Sequence, residues 1–198
     1  MQQAQVHALL YQALETELGG RHIYQTALQC AIHADLTHEW QAYLEQTETH
    51  AQVLRKLFDT LQLDPNQETP GRQVVRHLGA ALVSAMEMAL STGNPEAAQL
   101  VAAECVVLAE TKDHLNWELL NEVAEGRKGK AGQAVQAAYE QVEDEEDAHL
   151  YHTTGWSRER WTASLGLPAV LPPPEEEKDV KTAIGAARAK NARKAMLQ

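Results

Sequence analysis

Apolar residues recur every three or four positions from residue 2 to residue 163, and runs of β-branched residues are short throughout. That spacing constrains the chain to helices, because a half-buried strand needs its apolar side chains at every second position. Ala, Leu, Glu and Gln, all strong helix formers, dominate the same stretch. The pattern predicts a first helix over about 2–34, weakened at Gly19-Gly20 by about 1 kcal/mol per glycine, and a second over about 37–63. DPNQETPG then breaks the chain. A shorter apolar helix follows at about 72–92. Asn94-Pro95 starts a third long helix to about 125, with Asn as N-cap and Pro where its missing N–H costs nothing. GRKGKAG ends it, and a fourth long helix covers about 131–154, bent or ended at Gly155 before a continuation to Leu165. LGLPAVLPPPEEE is extended, and the last stretch reads as a basic, Ala-rich helix that docks on the bundle or a second subunit, or hangs on a tether. The expected fold is all-α: a four-helix bundle over 1–165 with a short helix in the crossover between its second and third helices, and an extension over 166–198.

The apolar stripes are not wholly apolar. With about 100° per residue, Glu17 falls among Val6, Leu10, Tyr24 and Leu28, at the centre of the first helix's buried face. Thr47 and His50 share the stripe of Trp40, Tyr43, Leu44 and Leu54. Glu110 is followed seven residues on by Trp117, as Glu17 is by Tyr24, and Asp113 and His114 flank it. On the fourth helix Glu143, Glu146 and His149 share a face with Tyr139, Val142, Leu150 and Thr153, and Glu146 to His149 is a Glu-x-x-His. Burying several carboxylates costs several kcal/mol per ion unless they are compensated, and the stripes offer no Lys or Arg to do it. Two divalent cations bridged by carboxylates meet that need. Oxygen and imidazole donors suit Fe or Mn, and the absence of Cys from the stripes disfavours a soft-ligand site.

The charge balance agrees. Lys+Arg 17 against Asp+Glu 28, net -11, disfavours binding to nucleic acid or an anionic membrane. No long uninterrupted apolar run predicts a transmembrane helix, and MQQAQVHALLYQALETE has no secretory pattern, so cytoplasm is the expected location. Cys30 and Cys105 lie off their stripes and read as free, partly exposed thiols. His7, His22, His33, His38, His77 and His152 read as surface histidines.

At these residues the sequence resembles the ferritin-like superfamily, over roughly 6–160, in helix order, crossover and motif spacing. Glu17 with Tyr24 is similar to the first-helix pair of rubrerythrins, and YLEQTETHAQVLRKLF with the crossover helix resembles the YciE/YciF group of bacterial stress proteins. The resemblance implies metal ligands at Glu17, His50, Glu110, Glu146 and His149. Thr47 stands where the family's second-helix motif has Glu. Glu143 is the first choice for a replacement ligand, with Asp113 and His114 as ligands or as groups that orient a ligating imidazole. A site of three Glu and two His also resembles manganese catalases.

The resemblance implies a di-iron protein that reacts with O2 or peroxide as a ferroxidase or peroxidase in oxidative stress, supplied by an external electron donor and assembled as a homodimer. Two rivals stay open: a dimanganese peroxide dismutase, and a non-catalytic bundle whose metal site has decayed at Thr47.

Overall fold

Helix starts are written in the sequence where capping residues precede proline. In the computed structural model, which describes residues 2–197, the Asn94 side chain accepts from the Ala97 N–H and opens α4 (Pro95–Gly126), and Thr69 accepts from the Arg72 N–H and opens α3 (Pro70–Ser91). α1 spans Gln3–Cys30 and α2 spans Ala34–Leu61. α1 runs unbroken through Gly19 and Gly20, because packing against neighbouring helices outweighs the local propensity cost.

The fourth long helix is two. α5 (Lys130–Tyr139) stops in tight i→i+3 turns at Gln141 and Val142, and α6 (Glu143–Ser164) starts afresh. Gly155, expected to bend or end this helix, lies inside α6. Its missing side chain has another use: a Cβ there would sit 2.8 Å from Glu175 Oε2 and 3.1 Å from Pro173 Cβ, so the glycine lets the C-terminal segment lie against α6.

α1 packs on α2, α3 and α4, and α4 packs on α5 and α6, which close against α2. The described residues therefore form an all-helical bundle with α3 laid across α1 and α4. α3 is also long and apolar enough to cross a bilayer by length and composition alone, which the sequence reading did not anticipate. Here it is tied to α1 by a charge cluster in which buried Arg72 and half-exposed Arg76 donate to buried Glu15. Burial pushes the Glu15 carboxyl up, but the two guanidinium groups outweigh it and hold the group below its ordinary value.

The C-terminal segment folds back onto the bundle. α7 (Pro174–Glu177) reaches α6 through a two-bond pair between Arg158 and buried Glu175, and α8 (Ala183–Met196) brings Arg193 to fully buried Glu159. The Val170 N–H completes Glu159 at 2.8 Å.

Two apolar clusters fill the interior. One contains Leu10, Leu14, Leu54, Phe58, Trp117 and Leu120, and the other Tyr24, Leu36, Trp40, Tyr43, Val106 and Trp156. Cys30 and Cys105 belong to the second cluster and are buried, not partly exposed. Burial pushes the Cys30 thiol up to about 11, so it stays protonated and unreactive. Between the clusters four helices contribute polar residues: Glu17 on α1, Thr47 and His50 on α2, Glu110 and Asp113 on α4, Glu146 and His149 on α6.

Candidate metal centre

The polar layer gathers six side chains with ligand chemistry, and none of Glu17, His50, Glu110, Asp113, Glu146 or His149 is more than 5% exposed. Residues three apart on a helix share a face, so Glu110 with Asp113 and Glu146 with His149 arrive as pairs.

Both imidazoles are held from behind. His50 Nε2 lies 2.7 Å from Glu145 Oε2 and His149 Nε2 lies 2.8 Å from Gln46 Oε1, so each ring donates outward and turns Nδ1 to the centre. This is how metal-ligating histidines are commonly oriented. The carboxylates are held likewise. Trp117 Nε1 donates to Glu17 Oε1 and Tyr24 Oη donates to Glu110 Oε1, each at 2.8 Å. Tyr24 and Trp117, readable as core packing from sequence, fix one oxygen and leave the other facing inward.

Most of what they leave facing inward is unsatisfied. Glu17 Oε2, His50 Nδ1, Glu110 Oε2, Asp113 Oδ1 and both oxygens of Glu146 are buried without a hydrogen-bond partner. Buried polar atoms are rarely left so. His50 Nδ1 and Glu146 Oε1 are 2.7 Å apart yet not aligned for a hydrogen bond. Two donors at about 2.1 Å from one ion, at right angles to each other, stand about 3 Å apart. Glu17 Oε1 lies 3.8 Å from His50 Nδ1, and His149 Nδ1 lies 3.5 Å from Glu110 Oε2 and 4.0 Å from Glu146 Oε1.

Two groups of three can each hold an ion, with donor atoms within 4.8 Å of one another: His50, Glu146 and His149, and Glu17, Asp113 and Glu146. They share Glu146. Burial, reinforced by the neighbouring carboxylates, drives the Glu17 and Asp113 carboxyls well above their ordinary range. Burial opposes charge on His50, but Glu146 and Glu145 outweigh it and raise the imidazole. A cation in this gap would therefore compete with protons.

Of the three replacement ligands expected for Thr47, the layer contains only Asp113. Glu143 is exposed at the start of α6, beside Tyr139. The buried face runs on through Ala138, Val142, Glu146 and His149 across the turns at Glu140–Val142, and Glu143, in the first turn of α6, falls about 60° off Glu146 on the exposed side. His114 turns outward and meets Asp147 Oδ1 at 2.6 Å. Thr47 is buried, with its methyl 3.2 Å from where a Gly20 Cβ would sit. Glu145 and Gln46 were missed because their role depends on which histidine faces them across the bundle. No local pattern encodes that.

Two clefts reach the layer from different sides. A cavity of about 300 Å³, mostly apolar, runs past Ile23, Val75, Leu78 and Leu82 to Glu110 and Asp113. It owes part of its space to Gly19, where an added Cβ meets nothing within 4 Å. The other, about 170 Å³ and mostly polar, is lined by His114, Glu118, Glu143 and Asp147 and reaches Glu146. Glu143 and His114 therefore line an approach to the layer. Compared with the models of known families, with curated proteins and with solved structures, the chain matches none.

Proposed function

We propose that this chain is a ferritin-like di-metal carboxylate protein whose two ions, iron in the first instance, react with O2 or peroxide. The observation that carries the reading is a buried layer of four carboxylates and two imidazoles from four helices, in which six polar atoms lack partners and five of the side chains form two groups that share Glu146. That count equals the ligand set of di-iron bundles, with Asp113 in the place Thr47 leaves open. When bound, the ions supply the redox chemistry, and a bridging carboxylate sets their spacing.

The protein's own groups divide the remaining work. Glu145 and Gln46 fix the ring tautomers, while Trp117 and Tyr24 fix the carboxylates. The polar cleft, with three acids at its walls, suits the entry of hydrated cations, and the apolar cavity suits the entry of dioxygen. Among the described residues no pair of thiolates stands near the layer, so reducing equivalents come from an external donor.

The test is anaerobic loading with Fe(II), metal analysis, and then exposure to O2 or hydrogen peroxide in a stopped-flow spectrometer. Two iron per chain and rapid oxidation are expected. The dimanganese reading is the second arm: sustained O2 evolution from peroxide by the Mn-loaded protein, without turnover by the iron form, replaces iron with manganese. Stoichiometric binding of neither metal sinks both. Light scattering on the same sample tests pairing into a homodimer.

A further inference from the structure

His152, read from sequence as a surface histidine, is buried, and its partner comes from the tail. Its Nδ1 lies 2.7 Å from Glu176 Oε1 on α7, 3.0 Å from Tyr43 Oη and 4.0 Å from Glu39 Oε1 on α2. Three oxygens converge on one ring nitrogen, which has one proton or one lone pair to offer. The side chains of Glu39 and His152 are each 9% exposed. Trp156 Nε1 donates to Glu39 Oε2 at 2.5 Å, which leaves Glu39 Oε1 aimed at the imidazole without a hydrogen-bond partner; Glu176 Oε1 is buried and lacks one too. The donor atoms of Glu39, His152 and Glu176 lie within 4.8 Å of one another.

As at Glu17 in the central layer, an indole N–H holds one oxygen of the carboxylate and the other oxygen is left buried without a partner. No Lys or Arg among the described residues forms an ion pair with Glu39 or Glu176, so the one group of the protein that can carry positive charge between these two acids is the His152 ring itself. A divalent ion neutralises both carboxylates and uses the nitrogen that three oxygens now crowd.

We propose a separate mononuclear site at Glu39, His152 and Glu176 that takes one divalent first-row transition ion and clasps the C-terminal segment to the bundle. One nitrogen and two carboxylates suit ions of borderline hardness such as Zn(II), Fe(II) or Co(II). Two of its ligands stand on the bundle and the third on α7, so binding is linked to docking of the tail. Tyr43 joins this site to the central one: its hydroxyl meets His152, and its ring centroid is 4.2 Å from that of His149.

Co(II) added to the full chain, counted by metal analysis after desalting and followed by its visible absorption, tests the site. Glu176→Gln and Glu39→Gln each keep the side-chain shape and should bind one Co(II) fewer per chain than the wild type. That difference does not depend on the central site: if the central layer binds nothing, the wild-type count falls to one and each variant's to zero. Co(II) should also slow tryptic cleavage after Lys178 and Lys181 about tenfold in the wild type and not in the variants. Equal counts in the wild type and both variants, with cleavage unaffected by Co(II), overturn the proposal and leave a carboxyl pair that shares a proton.

Discussion

Replacing Glu146 with Gln should give a variant more stable than the wild type without metal and less stable than it with metal. Without metal the central layer holds six buried polar atoms that lack partners. At about 1–3 kcal/mol each they cost roughly 6–18 kcal/mol, as much as the entire stability of an ordinary domain. Two of the six belong to Glu146. The amide that replaces this carboxylate would present no charge, could donate to Glu17 or Asp113, and would leave His50 with Glu145. Metal-free Glu146→Gln should therefore gain about 2 kcal/mol, or roughly 4–8 °C in Tm for a chain of this size. With metal the sign inverts. Two ions, each at a hundred times its dissociation constant, stabilise the wild type by about 5 kcal/mol, or roughly 10–20 °C. The variant has lost the ligand common to both groups and should shift by less than about 3 °C. Calorimetry on chelated protein and on protein with excess Mn(II), which avoids oxidation during the scan, measures all four values. A metal-free variant that melts below the wild type and gains as much from Mn(II) refutes the reasoning.

Other outcomes follow from the same geometry. Gln46→Ala removes the acceptor behind His149 and should weaken metal binding about 10–100-fold by calorimetric titration without altering the helical content. Gly19→Leu fills open space in the apolar cavity, so iron oxidation by O2 should slow about tenfold in stopped flow while iron affinity changes less than about twofold; unaltered oxidation would mean that O2 enters elsewhere. Burial raises Glu159, but Arg193, the Val170 N–H and Arg158 outweigh it and hold the carboxyl below its ordinary value. Its contribution to tail docking is then complete above the unfolded glutamate range and declines as pH falls through the depressed folded value. Hydrogen exchange of α8 amides, corrected for intrinsic rates, should quicken on that side alone, and Glu159→Gln should remove the dependence.

The helical class was legible because periodicity is local, and Asn94-Pro95 declared its helix start. The acids and imidazoles of the centre were legible for a related reason: a charged residue in an apolar stripe conflicts with its neighbours, and Glu17, His50, Glu110, Glu146 and His149 all stand in such conflicts. Asp113 ranked behind Glu143 because each stands three residues from a stripe carboxylate on its own helix, and only the packing of neighbouring helices covers Asp113 and leaves Glu143 exposed. Gly155 suggested a bend because propensity alone says so, whereas its use is contact with a segment some twenty positions away. Glu39, His152 and Glu176 stayed hidden for that reason too. Each is ordinary on its own helix, and only the return of the tail brings them together.

The interruption between α5 and α6 bears on how this chain tolerates change in length. In an unbroken helix, loss or gain of one residue anywhere upstream turns every later side chain by about 100°. Glu146 and His149 would then swing out of the layer. Here the loop before α5 and the turns at Glu140–Val142 lie upstream of α6, which packs on α4. A single-residue insertion or deletion in that loop or those turns should therefore disturb the inward register of Glu146 and His149 less than the same change inside a continuous helix. The same change within Glu143–His149 has no turn to absorb it.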